Sequence, residues 1–147
     1  MARPPVRLLA LVALLLAALP IPATSQESGR GIAVIVHPQR GAQISADELA
    51  QIYLRRRRHW ADGSTIVPLN LPADSPLRHQ FVRQVLRQQE ARLADYWNRR
   101  YFDGVFPPST LASVPAVLRY VASDRNAVGY VPESAADESV RVIFRFE

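Results

Sequence analysis

An apolar strand, Thr65-Ile-Val-Pro-Leu69, runs through a short polar turn straight into an amphipathic helix. Ser75 is a favourable N-cap, and Pro76 falls at the first helical position, where its missing N–H costs nothing. The same order of strand, turn and helix recurs along the chain and implies an α/β sheet that is at least partly parallel. The free N–H groups and positive dipole end of such a helix start also make a ready anion site. Its first turn carries Arg78 and no Glu, so a bound anion would compensate the arginine. The plainer alternative pairs Arg78 with Asp74, four residues back on a solvated face.

Elsewhere the periodicities are equally local. Residues 31–37 read as a buried strand rich in β-branched side chains, followed by a turn over 38–41. Ser45-Ala-Asp-Glu48 is a capping box that opens a helix with Leu49, Ile52 and Tyr53 on one face. Arg55, Arg56, Arg57 and Arg58 close that helix, where cations suit the negative dipole end. A turn over 60–63 leads into the second strand, over 66–71, and the helix opened by Pro76 extends to about Arg87, burying Leu77, Phe81, Val85 and Leu86. A further helix spans about 90–101, with Leu93, Trp97 and Tyr101 four apart and Tyr96 beside them. After a loop containing Asp103-Gly104 and Pro107-Pro108, Ser113 caps a helix that buries Val117, Tyr120 and Val121, and Asn126 suits a left-handed position beyond it. Residues 127–131 form a short strand, and the alternation over 140–146 reads as a final edge strand.

Ahead of these elements, Arg3 and Arg7 flank an apolar run over residues 8–19 that is too short to span a bilayer. Ala23-Thr-Ser25 then places small residues before Gln26. This is the pattern of a secretory signal peptide over residues 1–25, with an uncleaved anchor as the alternative. Cleavage would leave a periplasmic chain, free of the membrane, over residues 26–147, a length that fits one domain with one core. There is no cysteine, hence neither a disulfide nor a lipid attached to one. All 18 basic residues are arginine, and without Arg3 and Arg7 the remaining 16 face 13 acids. That mild excess suits an anionic ligand or partner and does not call for nucleic acid.

Catalytic constellations are not visible. His37, His59 and His79 do not stand at metal-ligand spacing, and neither a metal nor a cofactor is expected. No Gly-x-Ser-x-Gly elbow surrounds Ser75, which helix capping explains. Asp47 with Glu48, and Asp137 with Glu138, are adjacent pairs, and adjacent residues on a helix do not face one another as an acid/base dyad must. No Gly-rich phosphate loop occurs. The arginine run 55–58 is the strongest charge feature, either a solvated helix end, an anion-facing patch or a docking surface for an acidic partner. Trp60, Tyr96, Trp97, Tyr101 and Phe102 have the spacing of core aromatics rather than of a stacking platform.

Six segments follow one another in order: Ile44-Ser-Ala-Asp-Glu-Leu-Ala-Gln-Ile-Tyr53, Arg58-His59-Trp60-x-Asp62-Gly63, Ile66-Val-Pro-Leu-Asn70, Asp74-Ser-Pro-Leu-Arg-His-Gln-Phe81, Tyr96-Trp-Asn98 and Ala127-Val-Gly-Tyr-Val131. Together they resemble the phosphate-binding proteins of phosphate ABC transporters, and more closely the short exported bacterial proteins that are like those substrate-binding components. The resemblance runs from about residue 32 to residue 131. It implies a single three-layer α/β lobe of a type II periplasmic binding fold, with a mixed, mostly parallel sheet flanked by helices. In full-length members two such lobes close on the anion. The resemblance further implies a non-enzymatic, exported binder of phosphate or a related oxyanion. Ser75 would be the hydroxyl donor, the amides of Leu77 and Arg78 the backbone donors, Arg78 a nearby charge, and Asn70 a neighbour in the same strand–turn–helix. Two departures from the full-length pattern weaken that site: the chain is too short to hold both lobes, and its signature differs. Asp74-Ser-Pro76 replaces the glycine-flanked Ser-Gly-Thr signature, so Pro76 removes one amide and Asp74 repels an anion. The alternative is an interaction or sensory module of the envelope that kept the fold and lost the ligand, meeting an envelope protein or a second copy of itself through the face of 55–58.

Overall fold

Five consecutive apolar residues leave β1 (Ile32–Val36) no polar face, and it is buried along its whole length. Such a strand needs cover on both faces and partners on both edges. In the computed structural model, which describes residues 31–41 and 43–147, it has both. The signal peptide expected over residues 1–25 lies outside the described residues. β1 is antiparallel to both of its neighbours, β4 (Ala127–Pro132) and β5 (Arg141–Phe146). β4 runs parallel to β2 (Val67–Asn70), and β2 parallel to β3 (Ser109–Thr110). The sheet is therefore mixed, in the order β3-β2-β4-β1-β5, and β5 is an edge strand of the chain's own sheet.

Helices cover both faces. Across one face lies α4 (Val114–Ser123), packed so closely that a Cβ on Gly129 of β4 would stand 2.6 Å from Val117. Against the other pack α1 (Ala46–Tyr53), opened by the Ser45–Glu48 capping box, and α2 (Pro76–Gln84). Tyr53 of α1, Phe81 of α2 and Tyr130 of β4 form the centre of that layer, with the Phe81 and Tyr130 rings stacked at 3.9 Å. α3 (Glu90–Phe102) lies beside the end of α1, where the Tyr96 hydroxyl donates to the Leu54 carbonyl at 2.7 Å.

The β2–β4 ladder is short. It pairs Val67 with Ala127 and Pro68 with Val128, and Pro68 has no N–H to donate. Beyond it two buried hydroxyls take over. Tyr53 donates to the Leu69 carbonyl at 3.0 Å, with the Val128 carbonyl at 3.3 Å. Tyr130 accepts the Leu71 N–H at 3.3 Å and donates to the Asn70 side chain at 2.8 Å. Burial pushes the Tyr53 hydroxyl well above its ordinary pKa and that of Tyr130 up to about 12, so both remain donors.

Several local expectations are corrected. Tyr101 and Phe102 are 62% and 89% exposed, because α3 outruns the surface it packs on after Trp97. Tyr120 lies on the open side of α4, and Leu77 is only half-buried. α2 ends at Gln84, before Arg87. Asn126 is not left-handed; among the described residues those that are, apart from glycines, are Arg55 and Arg87. The arginine run lies beyond the last turn of α1, and its first two residues make the closing bonds. Arg55, at φ 59, donates its N–H to Ile52, and Arg56 donates to Gln51, a left-handed helix closure in which glycine is usual.

Candidate anion site at the carboxyl edge of the sheet

β2, β3 and β4 are parallel, so their carboxyl ends share one edge of the sheet. From that edge β2 turns into α2 and β3 turns into α4. The Leu111 N–H donates to the Asn70 carbonyl at 2.8 Å and ties the two turns together. Each helix starts on a serine: Ser75 Oγ accepts the Arg78 N–H at 3.4 Å, and Ser113 Oγ accepts the Ala116 N–H at 3.3 Å. Each also has a proline in its first two positions. Two positive helix ends thus open from neighbouring strands, at the place where open α/β sheets bind ligands.

Ser75, Leu77 and Arg78 come together at the α2 start, and the helix itself offers the Leu77 N–H no acceptor. Arg78 does not pair with Asp74. Its guanidinium folds back and donates to the Leu71 carbonyl at 2.8 Å, bracing the turn that precedes its own helix. His79 braces the same turn, 2.7 Å from the Ala73 carbonyl. The Asn70 side chain is committed to Tyr130 and so holds the strand end. Asp74 is exposed beside Ser75.

The four arginines at 55–58 do not present one surface. Arg57 pairs with Glu48, Arg56 lies over the Tyr96 ring at 5.4 Å, and Arg55 and Arg58 line a cleft of about 350 Å³.

A further charged hub is Arg40, which the turn over 38–41 gave no reason to single out. It is 7% exposed. Its guanidinium donates to Asp62 and to the Arg125 carbonyl, both at 2.7 Å, to Asn126 Oδ1 at 2.8 Å and to Ser64 at 3.2 Å. It also lies 5.0 Å from the Trp60 ring, and the Trp60 N–H donates to the Asn126 carbonyl. The Trp60-x-Asp62 segment is thus a cradle for one arginine.

The Ser64 hydroxyl and N–H, and then Arg40, lower the Asp62 carboxyl to about 2. A carboxylate depressed below its unfolded value near 4 adds stability above that value and loses it as the pH falls through the folded one. Glu48 and Asp137 are depressed as well, by Ser45 and Ser139 first. Urea midpoints at pH 5, 3.5 and 2.5 should therefore fall less steeply in Asp62→Asn than in the unaltered chain; parallel slopes would show that Asp62 has no such role.

Among the described residues no cluster of three His, Cys, Asp or Glu side chains could hold a metal ion. Nor is any helix among them long and apolar enough to cross a membrane.

This helix-flanked mixed lobe is a fold found among solved phosphate transport receptors. Solved structures sharing this fold include an ABC-type phosphate transport receptor from Vibrio cholerae, at TM-score 0.63 and 20% identity over 77% of this chain and 45% of that one. A protein from Clostridium perfringens, described as a phosphate ABC transporter substrate-binding protein and crystallised with phosphate, aligns at TM-score 0.64 and 20% identity over 77% and 44%. PstS from Borrelia burgdorferi aligns at TM-score 0.60 and 13% identity over 77% and 46%. The chain thus spans less than half the length of each. No family model and no curated protein matches the sequence.

Proposed function

We propose that this protein is an exported, non-enzymatic binding protein, with a signal peptide over 1–25 and a periplasmic domain over 26–147, that holds phosphate or a related oxyanion weakly at the start of α2. The observation that carries this reading is the Ser75-capped helix start at the carboxyl edge of a lobe shared with phosphate receptors. Ser75 and the Leu77 amide are the donors, joined by the Arg78 amide once it leaves Ser75 Oγ for the anion, with the Arg78 charge nearby. Charge-assisted hydrogen bonds contribute about 1.5–3 kcal/mol each. Two or three of them, less the cost of association, correspond to roughly millimolar binding. Tighter capture requires a second surface, from another copy of the chain or an envelope protein, to enclose the anion.

Calorimetric titration of the 26–147 chain with phosphate tests this directly. Dissociation in the millimolar range is expected, weakened severalfold in Ser75→Ala, whose fold is checked by circular dichroism. Asp74→Asn removes a repelling charge and should tighten binding by roughly threefold to fivefold, the worth of one exposed charge. No heat up to about 20 mM phosphate, well beyond the expected constant, would sink the reading. Asp74 and Pro76 favour a second reading, an envelope interaction module without a ligand. In that case Arg55→Glu with Arg58→Glu abolishes co-purification of an envelope partner or a second copy, and phosphate gives no heat.

A further inference from the structure

At the amino end of β2, away from the α2 start, Arg55 and Arg58 line the same cleft. Arg55 occupies the left-handed position of the α1 closure, where glycine would sit with less strain. Its side chain is half-buried, and burial, followed by the Arg58 charge, lowers its pKa. The Nε of Arg58 donates to the Arg55 carbonyl at 3.3 Å, which fixes one arginine relative to the other. Neither guanidinium has a carboxylate partner among the described residues. By contrast, Arg40 and Arg57 in the neighbouring cleft are already paired with Asp62 and Glu48. The remaining walls beside Arg55 and Arg58 are mixed, with polar groups from Thr65 and Ser109 and exposed apolar surface from Phe106 and Pro107. Phe106 extends that wall outward through an edge contact at 5.5 Å with the exposed Tyr101.

Two like charges held together without a counter-ion, in a cleft of about 350 Å³ that also has the exposed Phe106 ring on its wall, fit a ligand with matching polarity. We propose that this cleft is a second binding site, for an oxyanion carried on an apolar group, with the anion between Arg55 and Arg58 and the apolar part against Phe106. The site lies at the opposite end of β2 from Ser75 and does not rest on the reading of α2.

The test is an NMR titration of the ¹⁵N-labelled 26–147 chain with phenyl phosphate, inorganic phosphate and phenol. Phenyl phosphate should shift the amides of 55–58 and 104–109, with roughly tenfold higher affinity there than inorganic phosphate, the worth of a partly buried ring. Phenol, lacking the anion, should leave them unmoved. Arg55→Gly and Arg58→Gln should each weaken phenyl phosphate by about fivefold or more, and Ser75→Ala should not. Arg55→Gly relieves the left-handed backbone, so its loss of binding cannot be ascribed to a damaged fold. The proposal is overturned if phenyl phosphate shifts none of these amides at about 20 mM, if inorganic phosphate or phenol binds there as well as phenyl phosphate, or if the two arginine variants bind unchanged. Loss of phosphate binding at α2 alone leaves it standing.

Discussion

Arg40→Met is expected to destabilise the fold by about 3 kcal/mol, the cost of breaking a buried ionic hub by removing one member. The guanidinium joins its own turn to two others that are remote in sequence, one through Asp62 and Ser64, the other through the Arg125 carbonyl and the Asn126 side chain. Methionine replaces much of the aliphatic stem, so the loss measures the head group rather than the packing. It leaves the Arg125 carbonyl and the Asn126 amide oxygen short of a donor in a part-buried setting, each worth roughly 1–3 kcal/mol. Asp62 moderates the effect, since its side chain is 56% exposed and can rehydrate. With a urea slope typical of small domains, the midpoint should drop by about 1–2 M at an unchanged slope. Arg40→Lys should recover less than half of the loss, because an ammonium group cannot span the planar set of acceptors. A loss below about 1 kcal/mol would place Arg40 with ordinary surface cations.

Gly129→Ala should cost about 2 kcal/mol by overpacking. The added Cβ would meet Val117 Cγ1 at 2.6 Å and Val121 Cγ2 at 3.2 Å. Val117 and Val121 are fully buried, and β-branched side chains in a helix have one favoured rotamer, so neither can swing aside. α4 must lift from the sheet instead. The diagnostic is a double-mutant cycle: Val117→Ala alone destabilises by removing core contacts, yet in the Gly129→Ala background it should recover stability, with a coupling of about 1 kcal/mol or more. Additive losses would show that the two positions do not compete for space.

Legibility followed the range of the interactions. The Ser45 and Ser75 caps, the buried β1 and the amphipathic face of α1 are determined within a few residues, and all stand where the pattern puts them. β3 is two exposed residues long and exists by pairing with β2, so no periodicity could mark it. The stripe from Leu93 through Trp97 to Tyr101 is real, but where a helix outruns its support is a property of the whole fold. The same holds for Arg40, whose partners lie 22 to 86 residues away. At the candidate site the serine and the helix start were legible. The inward commitments of Arg78 and Asn70 were not, because both depend on backbone and side-chain groups that the fold alone brings within reach.

The short β2–β4 ladder has a consequence for how the molecule breathes. Past Pro68 the end of β2 is held to β4 by two tyrosine hydroxyls rather than by a run of backbone pairs, while β1 is laddered on both sides. Opening residues 69–75 breaks those bonds, the short β3 ladder and the braces from Arg78 and His79, yet it leaves both β1 ladders intact, so it is separable from global unfolding. The turn that carries Ser75 can loosen and re-form while the rest of the sheet stays shut.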